Sequence, residues 1–176
     1  MFLKYSLILI ALLFTLNAQG ITLPAAMEAK FVQKVTNPKK KVIRYEGRLV
    51  MDNKSRFKWS YLKPSKKEVC SDGKRVLVVD HDLEQVSTYR MNRGFDLAAA
   101  LKRAKHYKGR LYTAAYQGRT YTIAVDPKGY IEQIAYRDDM DNVVNIHLYN
   151  VHTYAKPMPA GRFRCTYPKS YDVIEG

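Results

Sequence analysis

The chain has little of what most enzymes and metal proteins are built on. It carries two cysteines, four histidines and one tryptophan. Two thiols are too few for a disulfide-dense scaffold or a four-cysteine zinc site. No G-x-S-x-G elbow, H-E-x-x-H pair, phosphate-binding loop or dinucleotide fingerprint occurs, so recognisable hydrolase, metalloprotease and nucleotide chemistries are not expected. His147 and His152 are five apart on a predicted strand, which places them on opposite faces and argues against a shared metal. The run Asp138-Asp139-Met140-Asp141-Asn142 lacks the glycine and distal glutamate of a calcium loop, and it reads as a hairpin turn. No metal and no cofactor are expected. Gly/Ser-rich or Pro-rich linkers and internal repeats are also missing, and residues 21–176 suit one domain of ordinary size.

Acidic residues are few as well, 16 against 30 Lys and Arg. The one long apolar run lies at the start: Lys4, then Tyr5 to Leu16, then small residues. That run is shorter than the roughly 20 residues a bilayer span needs, so residues 1–20 read as a signal peptide, cleaved after Ala18 or Gly20, and the chain is expected to be exported. Removing it takes away Lys4 and no acid, so the formal charge falls from +14 to +13. A field of that sign favours anionic lipid headgroups or acidic protein surfaces, although spread-out cations also serve as solvated strand faces. Export argues against nucleic acid. It also permits a bond between Cys70 and Cys165, the alternative being two buried thiols.

What the sequence does have is period-two alternation. Met27, Ala29, Phe31 and Val35 share one face of a first strand, with Glu28, Lys30 and Lys34 on the other. Ile43, Tyr45, Gly47, Leu49 and Met51 alternate with Arg44, Glu46 and Arg48. Phe57, Trp59 and Tyr61 line one side of Arg56–Leu62 until Pro64. Asp72-Gly73 marks a hairpin between 67–71 and 75–80, and another strand follows at 84–90. Residues 95–106 break the pattern: Leu97, Leu101 and Ala104 at helical spacing, Asp96 early and basic residues late, predict the one helix. Strands resume at 110–116, 119–125, 130–137, 142–154 and 162–167.

About ten short sequential strands with one helix predict a mainly β (α+β) fold. Such a sheet twists and curls into a barrel or half-barrel with its apolar faces inward; a filled two-sheet sandwich is the alternative. The inner face is rich in aromatic rings and methionine. This suits plain core packing or a pliable apolar cavity.

The residues resemble a known family at this point. Ala29-x-Phe31-x-Gln33, Gly47, the stretch Arg56-Phe57-Lys58-Trp59-Ser60-Tyr61-Leu62-Lys63-Pro64, Ser71-Asp72-Gly73-Lys74, Leu83-Glu84-Gln85-Val86, Phe95-Asp96-Leu97, Ile131 to Tyr136, Phe163-x-x-x-Tyr167-Pro168 and Asp172-Val173-Ile174 occur in the order seen in the LolA lipoprotein carriers. The resemblance implies an incomplete, strongly curved antiparallel barrel with a helical lid over a hydrophobic cavity. It implies a non-enzymatic periplasmic chaperone of a Gram-negative bacterium. Such a chaperone takes acylated lipoproteins from an inner-membrane ABC transporter to an outer-membrane receptor or membrane surface, here as a monomer.

The expected acyl-chain cavity then comprises Phe31, Ile43, Tyr45, Leu49, Met51, Phe57, Trp59, Tyr61, Leu97, Leu101, Tyr121, Ile123, Ile134, Tyr136, Ile146, Leu148 and Phe163. A lipid-sensing regulatory domain of the same half-barrel architecture is the alternative, and a hydrolase with an unrecognised site a more remote one. Two departures stand out. Ile21–Ala26, with Pro24, is too short for the family's amphipathic helix before the first strand. Asp52-Asn53-Lys54-Ser55 stands where members tend to have a basic residue and proline that hold the lid.

Overall fold

A computed structural model describes residues 20–90, 101, 103–116 and 118–175. Alternating apolar and polar side chains produce what the pleat demands of them, one wide sheet with a dry face. Twelve strands lie in the order β12-β6-β5-β4-β3-β2-β1-β11-β10-β9-β8-β7. They are β1 (Ala26–Thr36), β2 (Val42–Asp52), β3 (Arg56–Lys63), β4 (Lys67–Asp72), β5 (Arg75–Asp80), β6 (Gln85–Arg90), β7 (Lys105–Lys108), β8 (Leu111–Tyr116), β9 (Arg119–Val125), β10 (Ile131–Arg137), β11 (Val143–Tyr154) and β12 (Asp172–Glu175). Every neighbouring pair is antiparallel except β12 on β6. The sheet is open and curved, with β12 and β7 at its two edges.

Register fixes which residues face inward. Phe31 sits opposite Gly47 on β2 and Leu148 on β11. Its ring occupies the space a side chain at Gly47 would need, because a Cβ there would lie 2.6 Å from the ring and 2.0 Å from the Ser60 carbonyl oxygen. Only glycine allows that approach. The concave core gathers Met27, Ala29, Phe31, Leu49, Tyr112, Ile123, Val144, Ile146 and Leu148. The meander places the β1–β2, β3–β4, β5–β6, β8–β9 and β10–β11 turns at one end and the β2–β3, β4–β5 and β9–β10 turns at the other.

Three local expectations are corrected. The helix anticipated over 95–106 cannot reach His106, because Lys105–Lys108 pairs with β8 around Gly109, whose φ of 55° turns the chain back; the remainder of that segment, apart from Leu101, Arg103 and Ala104, lies outside the described residues. The strand anticipated at 162–167 is instead a single 3-10 turn, Ala160–Phe163, within an extended strap (residues 155–171) that crosses the convex face before β12 joins β6. His147 and His152 share a face, opposite Val32 and Glu28 of β1, because the ladder shifts register between Glu28 and Lys30. Asn150, at φ 50°, takes up the extra residue on β11.

The strap is heavily tied. Cys70 and Cys165 form a disulfide. Arg162 pairs with Glu28, the Lys58 ammonium donates to the Arg164 carbonyl (3.2 Å) and Arg56 donates to the Met158 carbonyl (3.1 Å). Met158 and Phe163 bury themselves against Ala26 and Val50. The His81 and Tyr171 side chains meet at 3.2 Å where the strap turns into β12.

Candidate functional site

The concave face carries a connected group of rings. Phe31 lies 4.8 Å from Trp59 and 5.2 Å from Tyr61, Tyr45 meets Tyr61 edge-on at 5.7 Å, and Tyr121 lies 5.1 Å from Tyr136. Their donors and acceptors are few. The Tyr61 hydroxyl donates to the Gln33 side-chain oxygen at 3.0 Å. Burial, with the Tyr136 and Tyr45 phenols nearby, holds its pKa well above the ordinary tyrosine value. Burial does the same for Tyr136, with Tyr121 adding to it. Both phenols stay neutral, as an apolar surface requires. The Trp59 indole N–H is buried and has no acceptor among the described residues.

A pocket of about 130 Å³ opens at the β2–β3 end of this face, and its lining is almost wholly apolar. Leu49, Met51, Phe57 and Trp59 form its floor, and Met27, Tyr130 and Ile131 its sides. Its rim is the segment 20–25, which supplies Thr22, Leu23 and Pro24. That segment is extended. The Thr22 N–H donates to the Gly129 carbonyl at 2.8 Å, and the Thr22 hydroxyl donates to the Lys128 carbonyl at 3.2 Å. The Asn53 N–H donates to the Ala25 carbonyl at 3.2 Å. A short strap therefore crosses the mouth where a longer helix was found wanting.

The structure divides the expected cavity residues into groups. Phe31, Leu49, Leu101, Ile123, Ile146 and Leu148 are fully buried in the concave core. Met51, Trp59, Tyr61, Tyr121, Ile134 and Tyr136 are partly buried against it. Tyr45 reaches the group through Tyr61, and Phe57 through the pocket. Two expectations are corrected. Phe163 lies on the convex side, because its segment is a strap and not an inward-facing strand. Ile43 has the right parity but sits where β2 outruns β3, whose ladder stops at Glu46, so it is 51% exposed. Leu97 lies outside the described residues.

Sequence reasoning missed Asp52 and Arg56, both on the pocket wall. The buried Asp52 carboxylate accepts from the Lys54 and Arg56 backbone N–H groups (2.9 and 3.1 Å) and from Arg56 Nε at 2.7 Å. The same guanidinium lies 4.6 Å over the Phe163 ring. One ion pair thus joins the pocket wall to the convex strap. Its signal was an acid and a base four apart around a strand turn, easily taken for two solvated charges.

Among the described residues the one cluster of potential metal ligands is Glu68, Cys70 and Cys165, and its two sulfurs are bonded to each other. The Asp138 carboxylate is spent on its own hairpin turn, accepting from the Met140 and Asn142 N–H groups at 2.9 Å.

Residues 24–106 match the family model described as outer membrane lipoprotein carrier protein LolA. A Helicobacter hepaticus outer-membrane lipoprotein carrier protein is 32% identical over 148 residues, covering 84% of this chain and 82% of the relative. The chain belongs to the LolA family. A Campylobacter jejuni protein of the same name is 30% identical over 140 residues, covering 80% of this chain and 81% of its own. Among solved structures, an uncharacterised conserved protein from Thermus thermophilus shares the fold at a TM-score of 0.55 and 12% identity, over 88% of this chain and 92% of that one. Within a LolA chain, the pocket, the ring group and the strap at 20–25 occupy one side of the sheet, and the disulfide-tied strap occupies the other.

Proposed function

We propose that this protein carries the acyl chains of lipoproteins across the periplasm, taking them from an inner-membrane transporter and releasing them at the outer membrane. The observation that carries the reading is the apolar pocket on the concave face of a LolA-family sheet. Each methylene withdrawn from water is worth about 0.8 kcal/mol, so an acyl chain needs a shield to cross an aqueous compartment. At about 130 Å³ the pocket is close to a cavity that holds one small aromatic molecule and below the range of ordinary ligand sites. Loading therefore requires the concave face to open. The strap at 20–25 is the element to move, because few hydrogen bonds hold it to the β9–β10 turn. The buried Trp59 N–H has no acceptor among the described residues, and the ester carbonyl of a cargo chain supplies one.

The test is native mass spectrometry of the protein recovered from its own periplasm. Bound acylated protein is the expected result. A cargo-free protein after mild isolation, together with unchanged lipoprotein sorting when the protein is depleted, would overturn the reading.

A further inference from the structure

The end of the sheet opposite the pocket has a character of its own. From Lys30 to Arg48 the chain carries seven cations and one acid, Glu46. That acid is engaged with Arg44 at 3.0 Å. On the convex face Lys30 stands directly opposite Arg48, and Lys34 opposite Arg44. Like charges in facing positions cost stability. At the turn itself Lys39, Lys40 and Lys41 are all exposed, and among the described residues none is in an ion pair. The turn is well formed: the Lys41 N–H donates to the Asn37 side chain at 2.9 Å, and the Lys40 N–H to the Asn37 carbonyl at 2.9 Å. Val42 and Ile43 follow the three lysines and are both more than half exposed.

The β3–β4 turn repeats the theme, with Leu62 beside Lys63 and Lys66. Leu62 and Lys63 lie at the β3–β4 turn, Leu83 at β5–β6 and Met140 at β10–β11, each apolar side chain half or more exposed. Leu83 and Met140 are flanked by acids, of which Asp82 accepts from the Lys66 N–H, Asp139 bonds Arg119, Asp138 closes its own turn and Asp141 lies 4.0 Å from Arg137. Two separate turn tips, β1–β2 and β3–β4, thus present greasy side chains beside lysines. They match a flat, negatively charged surface with an apolar interior.

We propose that this end, led by the β1–β2 turn with Lys39, Lys40, Lys41, Val42 and Ile43, docks on an anionic lipid bilayer. The lysines meet the headgroups and the tip residues enter the interface. The pocket and its strap then face away from the headgroups or along them, free to exchange cargo. Vesicle binding and acyl loading are separate measurements, so failure here and failure of the carrier reading are told apart.

The experiment is co-sedimentation of the full chain with phosphatidylcholine vesicles, with and without phosphatidylglycerol. Binding is expected only with phosphatidylglycerol, and it should fall away at about 1 M salt, where the screening length is about 3 Å. Lys39→Gln, Lys40→Asn and Lys41→Gln together should weaken binding on the order of a hundred-fold, each cation near the surface being worth about five-fold. Val42→Thr with Ile43→Thr, which keeps β-branched residues in the strand, should weaken it several-fold, with acyl loading unchanged in both variants. Equal binding to neutral vesicles, no binding to either, or full binding by the lysine variant overturns the proposal. So does a lysine variant that keeps vesicle binding but loses capture on immobilised polyglutamate, which would assign the surface to an acidic protein.

Discussion

Strands β1 to β4 present two faces made from alternate residues of the same chain, and the faces are held by different forces. The concave face has Phe31, Trp59, Tyr61 and Met51, joined by ring contacts and one hydrogen bond, with an open pocket and an indole N–H that has no acceptor among the described residues. The convex face has Cys70, Lys58 and Val50 under the strap at 155–171, joined by a disulfide, an ion pair and charge-assisted bonds to carbonyls. Directional ties fix geometry, whereas apolar contact accepts many arrangements of similar energy. A sheet can thus keep its curvature from one side and leave the other free to open.

The largest test of that asymmetry removes the covalent tie. Cys70 and Cys165 are 95 residues apart. On the chain-entropy account a closed loop of this size is worth about 4 to 5 kcal/mol. Cys70→Ser with Cys165→Ser is expected to lower unfolding free energy by about that amount in urea titration, with little change in acyl affinity of the folded fraction. A double variant that loses acyl binding while still folded would show that the convex strap shapes the pocket.

Next is the place where the faces meet. Asp52 is buried, with Arg56 beside it on the pocket wall and over Phe163. Removing one partner of such a pair costs about 3 kcal/mol, because the other is left uncompensated. Asp52→Asn should lose that much in denaturant unfolding and should loosen both regions at once. Faster amide exchange at Val50 and Met51 alone, with residues 158–165 as protected as before, would sever the link drawn between them.

The division between faces was largely legible, and for a physical reason. Period-two alternation at Met27–Val35, Ile43–Met51 and Phe57–Tyr61 is imposed by the pleat, so the inward set follows once strands are recognised. Phe31, Trp59 and Tyr61 fall where that rule places them. The Arg56–Pro64 strand with its Phe-x-Trp pattern also led to the family. What was hidden depends on contacts between segments distant in sequence. Phe163 could not be sided from parity, since a strap obeys no pleat. Ile43 had the right parity but no β3 partner to cover it. Asp52 and Arg56 resembled turn charges until Met158 and Phe163, about a hundred residues later, were laid across them. The rim at Thr22 was foreshadowed only as the shortness of the segment before β1.

Trp59 is the smaller probe of the concave side. A sealed aromatic in a solid core costs about 3 to 5 kcal/mol on truncation to alanine. Trp59 borders an open pocket and its N–H has no acceptor among the described residues, so Trp59→Ala should cost about 2 kcal/mol, since part of the space it vacates is already solvent-reachable. Trp59→Phe should leave stability unchanged or slightly raised, because an unsatisfied buried donor is removed, and it should weaken binding of an acyl ester more than of a plain hydrocarbon. Equal weakening for both ligands would show that the indole contributes bulk and no hydrogen bond.

The smallest change in stability should bring the largest change in exchange rate. Gly129 has φ 84°, and a Cβ there would stand 2.6 Å from the Thr22 hydroxyl and 2.9 Å from the Gly20 carbonyl. Gly118 has a similar φ of 75° with nothing within 4 Å of its would-be Cβ. Alanine at either position takes on the left-handed backbone at about 1 kcal/mol, and Gly129→Ala gives up the Thr22 bonds in addition. Only Gly129→Ala must also push segment 20–25 off its turn, and that segment forms the pocket rim. Stopped-flow entry of a fluorescent fatty acid should then speed up in Gly129→Ala and keep the wild-type rate in Gly118→Ala. If both variants admit the probe at the wild-type rate, the segment is no gate. The concave face would then open elsewhere along its rim, because a pocket of about 130 Å³ is too small to take a full chain as it stands.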